Sequence, residues 1–193
     1  MKTSKTSIRK KFADERKQAA TAPESTKKII VHLKKLLKAI IAGEQNCLIG
    51  AYFPLKEEVS LLSLMDWLHE KGLRYALPKI IHYERCEMIF VVTTPQSQMK
   101  PNAFGIVEPN STEEVAPDIL IVPTLAADLS GTRLGYGHGY YDRYIAKQRA
   151  AGENLAVIGV CFEEQISRAP LPKECHDQAL DFVVTERGIY SCA

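Results

Sequence analysis

Asp118-Ile119-Leu120-Ile121-Val122-Pro123 is the stretch on which the fold turns. An acid precedes four aliphatic residues and a proline closes them. A run this short and this apolar reads as a strand covered on both faces, because a strand with one wet face would alternate. Beyond it, Thr124 to Gly139 reads as a loop, Tyr140 to Ala151 as a helix and Leu155 to Phe162 as the next strand. The same alternation runs upstream. Ser4 to Ala20 predicts a basic helix with Ile8, Phe12 and Ala19 on one apolar stripe. Pro23 suits the first turn of a second helix, in which Ile29, Ile30, Leu33, Leu36, Leu37, Ile40 and Ile41 recur with the helical period until Gly43. Cys47 to Phe53 predicts a first strand and Glu58 to Lys71 a third helix. Arg74 to Ile80 is a strand weakened by Pro78, Met88 to Thr93 another, and Phe182 to Thr185 a short last one. Thr94 to Pro117 is a long polar segment, of the kind that is functional or mobile in a compact domain.

Strands alternating with helices predict an α/β fold: a single-domain sandwich over residues 1–193, with a largely parallel sheet flanked by helices. Ligands in such sheets bind beyond the carboxyl ends of the strands. The loop after Val122 is therefore the first place to look for a site.

The bulk composition narrows the function. Among 193 residues, 25 are basic and 23 acidic, a net charge of +2, which does not suit a dedicated nucleic-acid binder. Cys47, Cys86, Cys161, Cys175 and Cys192 are odd in number and lack a CxxC spacing. A disulfide framework or zinc ribbon is thereby disfavoured, and free thiols fit a reducing cytoplasmic compartment. No apolar run approaches the roughly 20 residues that a membrane helix needs. The expectation is a cytoplasmic monomer that binds neither membrane nor nucleic acid.

The loop from Gly131 to Arg143 reads GTRLGYGHGYYDR. Gly135, Gly137 and Gly139 alternate directly before a helix. Such a turn aims several backbone N–H groups at one point, an arrangement suited to phosphate, and Arg133 can add a forked donor. It is not a Walker A loop, which would need Gly-Lys followed by Ser or Thr. It is not the dinucleotide fingerprint either, because Tyr140 stands where the last glycine should be.

Across these residues the chain resembles the 5-formyltetrahydrofolate cyclo-ligase family, also called methenyltetrahydrofolate synthetases. The strand Asp118–Pro123 and the string Arg133 to Asp142 match the family signature. Lys5 and Arg9 match its basic opening helix. Tyr52-Phe53-Pro54 with Glu58-Val59 match the end of its first strand, and Gly105-Ile106-Val107-Glu108-Pro109 match a later element. These motifs fall in order along essentially the whole chain. His138 occupies a position that varies among relatives, and His176-Asp177 ahead of Asp181 is a loose match.

The resemblance implies an ATP- and Mg²⁺-dependent ligase that closes 5-formyltetrahydrofolate to 5,10-methenyltetrahydrofolate, releasing ADP and phosphate. It places ATP, as co-substrate, on Lys5, Arg9, Arg133, Leu134, Gly135, Tyr136, Gly137, His138, Gly139, Tyr140 and Tyr141, with Arg133 and Lys5 acting in catalysis. It places the folate on Phe53, Glu58 and Tyr141, and Mg²⁺ on Asp142 and Asp177. From the residues alone, Lys5 and Arg9 equally fit a solvated basic helix, Asp142 a first-turn helix acid, and Phe53 plain core. A folate or nucleotide binder without turnover, and an RNA-binding protein using the basic helix, are the competing classes.

Overall fold

The computed structural model describes residues 5–44, 46–103 and 105–192. Ser4, where the sequence begins the first helix, lies outside them. Among the described residues the chain forms four α-helices: α1 (Lys5–Ala19), α2 (Pro23–Ile41), α3 (Leu62–Glu70) and α4 (Tyr140–Ala150). The strands are β1 (Leu48–Gly50), β2 (Arg74–His82), β3 (Glu87–Thr93), β4 (Met99–Pro101), β5 (Val107–Pro109), β6 (Ile119–Pro123), β7 (Ala126–Ala127), β8 (Arg133–Leu134), β9 (Ala156–Val160), β10 (Phe182–Val184) and β11 (Ile189–Ser191). None of these helices is long and apolar enough to cross a membrane.

Seven strands build one sheet in the order β11-β10-β9-β6-β1-β2-β3. The five from β10 to β2 run parallel, and the two edges, β11 and β3, are antiparallel. β6 sits inside, which explains its unbroken apolar run. Ile119 and Ile121 pack with α2 and α3 against Ile29, Leu33, Leu37, Leu64 and Leu68. Leu120 and Val122 point the other way, onto Phe90 and onto Tyr144 and Ile145 of α4. Each such side chain, once fully buried, contributes about 1.5–3 kcal/mol. The acid before β6 serves the structure, because the Asp118 carboxylate accepts the Leu48 N–H at 2.7 Å. Asp181, ahead of β10, likewise accepts the Val157 N–H at 2.7 Å. Each acid fastens the start of the neighbouring strand.

The structure corrects several expected boundaries. α3 begins at Leu62 rather than Glu58, because residues 55–58 close a turn instead. The Glu58 carboxylate accepts the Leu55 N–H at 2.9 Å, and the Glu58 N–H returns to the Leu55 carbonyl at 2.7 Å. β2 runs through Pro78 to His82. Its partner β1 pairs only as far as Ala76, so a missing donor at Pro78 breaks no ladder there. The long segment 94–117 carries a hairpin of β4 and β5, pinned to β2 on that open side. Glu108 accepts the Ile80 N–H at 3.2 Å and the Asn102 side-chain amide at 3.1 Å. The buried Lys79 ammonium donates to the carbonyls of Pro109, Asn110 and Ser111 at 3.1, 2.8 and 2.8 Å. The loop before α4 holds a small ribbon of β7 and β8, and β11 follows the strand expected to be last.

Gly50 in β1 has no room for a side chain: a Cβ there would lie 2.7 Å from Leu120 Cδ1 and 3.2 Å from Phe90 Cε1, both fully buried residues. Gly50→Ala should therefore destabilise the fold by about 1–3 kcal/mol, seen as a lower urea midpoint with an unchanged slope.

Candidate active site

The chain order of the strands reverses between β1 and β6. From β1 it proceeds to β2 and β3 on one side, and from β6 to β9 and β10 on the other. A parallel sheet opens a crevice at such a point, beyond the carboxyl ends of its strands. Here it is a cavity of about 610 Å³. The segment after β1 supplies Phe53 and Glu58, β8 and the glycine loop supply Arg133 to Gly139, and α4 supplies Tyr140, Tyr141 and Asp142. α1 adds Lys5, Arg9 and Arg16, and the β4–β5 hairpin adds Asn102, Ile106 and Glu108. Each of the fifteen site residues expected from the sequence lines this one cavity.

The loop is set by Asp128, which is 4% exposed. Its carboxylate accepts the N–H groups of Ser130, Thr132 and Leu171 at 3.0, 3.0 and 2.8 Å, and the Ser130 hydroxyl at 2.6 Å. No pattern in the sequence marks this hub. From it Arg133 enters the cleft, with Nη2 donating to Asp142 Oδ2 at 3.0 Å and its guanidinium over the Tyr141 ring at 5.7 Å. Arg133 Nε is buried without a partner. Asp142 Oδ1 accepts the Gln178 N–H at 3.2 Å, which brings Asp142 beside the 174–177 segment.

The glycines make space for cations. A Cβ on Gly135 would lie 3.0 Å from Arg133 Nη1, and one on Gly137 would lie 3.4 Å from the Arg9 guanidinium. One on Gly139 would lie 2.7 Å from Arg143 Nη1. Gly137 and Gly139 also hold φ of +102° and +74°, which an L side chain resists. The Arg133 and Arg143 guanidinium groups thus crowd the loop that leads into α4, where the helix dipole is positive, and Arg9 touches it at ordinary contact distance. Arg9 Nε donates to the Gly135 carbonyl at 2.9 Å, and Arg143 Nη1 to the His138 carbonyl at 2.9 Å.

Lys5 Nζ lies 2.7 Å from Asp177 and 3.2 Å from Glu174. Burial disfavours both charges, but the pairing outweighs it: Lys5 titrates above the ordinary lysine and Asp177 below the ordinary aspartate. At the other end, burial pushes the Glu58 carboxyl up, while the Leu55 N–H, Arg16 and the Tyr136 hydroxyl pull it back. Burial also holds the Tyr141 phenol protonated.

Arg16, one of the charges of the basic first helix, is a cleft residue that the motifs do not single out. It is 7% exposed and hydrogen-bonds the Tyr136 hydroxyl. The signal was present in the spacing: Lys5, Arg9, Phe12 and Arg16 follow i, i+4, i+7, i+11 and share one helical stripe. The segment carrying Glu108 stands out through the Gly105 to Pro109 match, but its two strands do not, since short strands in a polar segment carry no period.

The fold and cleft define an α/β protein with a site at the strand-order reversal, cationic at one end and aromatic with a half-buried acid at the other. A family model described as the 5-formyltetrahydrofolate cyclo-ligase family matches residues 1–186. A probable 5-formyltetrahydrofolate cyclo-ligase of Schizosaccharomyces pombe is 35% identical over 147 residues, covering 69% of this chain and 72% of that protein. The 5-formyltetrahydrofolate cyclo-ligase of Haemophilus influenzae is 31% identical over 137 residues, covering 68% and 72%. The solution structure of Aquifex aeolicus 5,10-methenyltetrahydrofolate synthetase superposes with a TM-score of 0.76 at 29% identity, covering 97% of this chain and 92% of that one. The chain belongs to the 5-formyltetrahydrofolate cyclo-ligase family and is an enzyme, a ligase.

Replacing Asp128 by Ala strips the buried Thr132 and Leu171 amides of their acceptor. Asp128→Ala should lose about 3 kcal/mol or more of stability, measurable by urea unfolding, with faster amide exchange in residues 128–134.

Proposed function

We propose that the cleft binds ATP at its cationic end and 5-formyltetrahydrofolate at its aromatic end, and transfers the γ-phosphoryl group to the formyl oxygen. One observation carries this reading: the Arg133 and Arg9 guanidinium groups lie against Gly135 and Gly137, 3.0 and 3.4 Å from where a Cβ would be, and line the same cavity as the half-buried Glu58 carboxylate. A polyphosphate fits the first feature, and the N–H groups of a pterin fit the second.

A formyl amide oxygen is a poor leaving group, and phosphorylation cures that. The formyl oxygen attacks the γ-phosphorus and the bond to the β-bridging oxygen breaks, so ADP departs. The formyl carbon is now electrophilic. The neighbouring folate nitrogen (N10) attacks it and sheds its proton. The carbon–oxygen bond then breaks, releasing phosphate and the methenyl product. No side chain forms a covalent bond. The protein's work is alignment and neutralisation of spreading charge. Lys5, Arg9 and Arg133 neutralise the phosphates, and the backbone from Leu134 to Tyr141 cradles them. Phe53 and Tyr141 sandwich the pterin, whose N–H groups Glu58 accepts.

Asp142 and Asp177 offer oxygen donors beside the loop. Each is paired with a cation yet keeps free lone pairs, which fits Mg²⁺, an ion that takes one or two carboxylates together with phosphate oxygens. These two residues would hold it, and when bound it draws charge from the phosphate oxygens.

The test is direct. Mixed with 5-formyltetrahydrofolate and MgATP, the protein should generate methenyltetrahydrofolate absorbance in step with ADP. Arg133→Ala and Asp142→Ala should each cut the rate at least about 100-fold while still unfolding cooperatively. Glu58→Gln should raise KM for the folate and leave KM for ATP nearly unchanged. Tight binding of both ligands without ADP formation would overturn the reading.

A further inference from the structure

Arg16 does more than dock its helix. α1 is already seated by Phe12, buried against Leu125, Ala126, Leu134 and Leu171. Arg16 lies one turn further on the same stripe and turns into the cleft. Nη1 donates to the Tyr136 hydroxyl oxygen, Nη2 lies 3.6 Å from Glu57, and the guanidinium carbon is 5.3 Å from the Tyr136 ring centroid. Because the tyrosine oxygen accepts from Arg16, its own proton is free for another acceptor. That hydroxyl and the Glu58 carboxylate line the same cavity, and the hydroxyl favours the carboxylate's charge. A cation on α1, the hydroxyl it holds and the Glu58 carboxylate thus share one end of the cavity.

We propose that Arg16 is a positioning residue for folate recognition: acting through Tyr136, it orients and charge-balances the Glu58 carboxylate that receives the pterin. This rests on the assignment of the folate to the aromatic end of the cleft. The groups facing Glu58 are Arg16 from α1, its neighbour Glu57, Tyr136 from the glycine loop, Tyr141 from α4 and Tyr52 after β1. Arg16 is the cation among them. Burial raises the Glu58 carboxyl, and Arg16 and the Tyr136 hydroxyl both oppose that rise. Deleting either lets the carboxyl climb, so on acidification the anion is lost at a higher pH. Pterin binding, which needs the anion, should fail earlier.

The experiment measures 5-formyltetrahydrofolate affinity by calorimetry from about pH 5 to about pH 8 in the unaltered chain, Arg16→Met, Arg16→Lys, Tyr136→Phe and Glu58→Gln. Arg16→Met and Tyr136→Phe should bind about tenfold more weakly at the acid end, with the gap closing toward the alkaline end. Arg16→Lys should recover part of the loss. Glu58→Gln should bind weakly at every pH, with a flat profile. A merely structural arginine would lower the melting temperature without moving the pH profile. Superposable profiles for Arg16→Met, Tyr136→Phe and the unaltered chain would overturn the proposal while leaving the folate assignment in place. A Glu58→Gln profile identical to that of the unaltered chain would remove the folate assignment and this inference together. If Arg16→Met does not fold, Tyr136→Phe decides, since that side chain is half exposed and its ring stays.

Discussion

Phe12 is buried on a helix that packs Ile8 and Ala13 beside it and also turns Lys5, Arg9 and Arg16 inward. Its ring gives α1 an apolar foothold on the β7–β8 ribbon, and that contact brings three cations out of water. A desolvated cation needs partners, and each finds a different one: Asp177, the Gly135 carbonyl and the Tyr136 hydroxyl. The helix thereby touches the 174–177 segment and the glycine loop, and Arg16 faces the acidic end of the cleft. The helix is therefore a wall of the cleft rather than a solvated appendage.

The glycine string shows how a motif works from both sides. Its backbone carbonyls accept from Arg9 and Arg143, and the missing side chains of Gly135 and Gly139 make room for arginines from β8 and α4. The acids balance these cations only in part. Asp142 takes Arg133 and Asp177 takes Lys5, while Arg9 and Arg143 donate to backbone carbonyls. The loop region thus keeps an excess of positive charge suited to an anion.

Most of the architecture was legible wherever burial imposes a period. Ile119 to Val122 announced a strand covered on both faces, and the spacing from Ile29 to Ile41 announced α2. The residues that the loop and the resemblance single out line one cavity. What escaped was decided by contacts across the chain. Glu58 looks like a helix starter until its carboxylate is seen holding Leu55 in a turn. Pro78 looks like a strand end until β1 is seen to stop short of it. Arg16 looks solvated because its partner, Tyr136, is 120 residues away. Asp128 is one acid among many until four donors are found around it.

The pairing of Lys5 with Asp177 spans 172 residues of chain. During synthesis β1, β2 and β6 can align before that contact exists, but the cleft gains its last wall only after Asp177 has left the ribosome. A nascent chain thus has no finished cleft to offer a ligand. The ligand-competent surface is among the last parts of the molecule to form, and the first helix is the natural place for its undoing to begin.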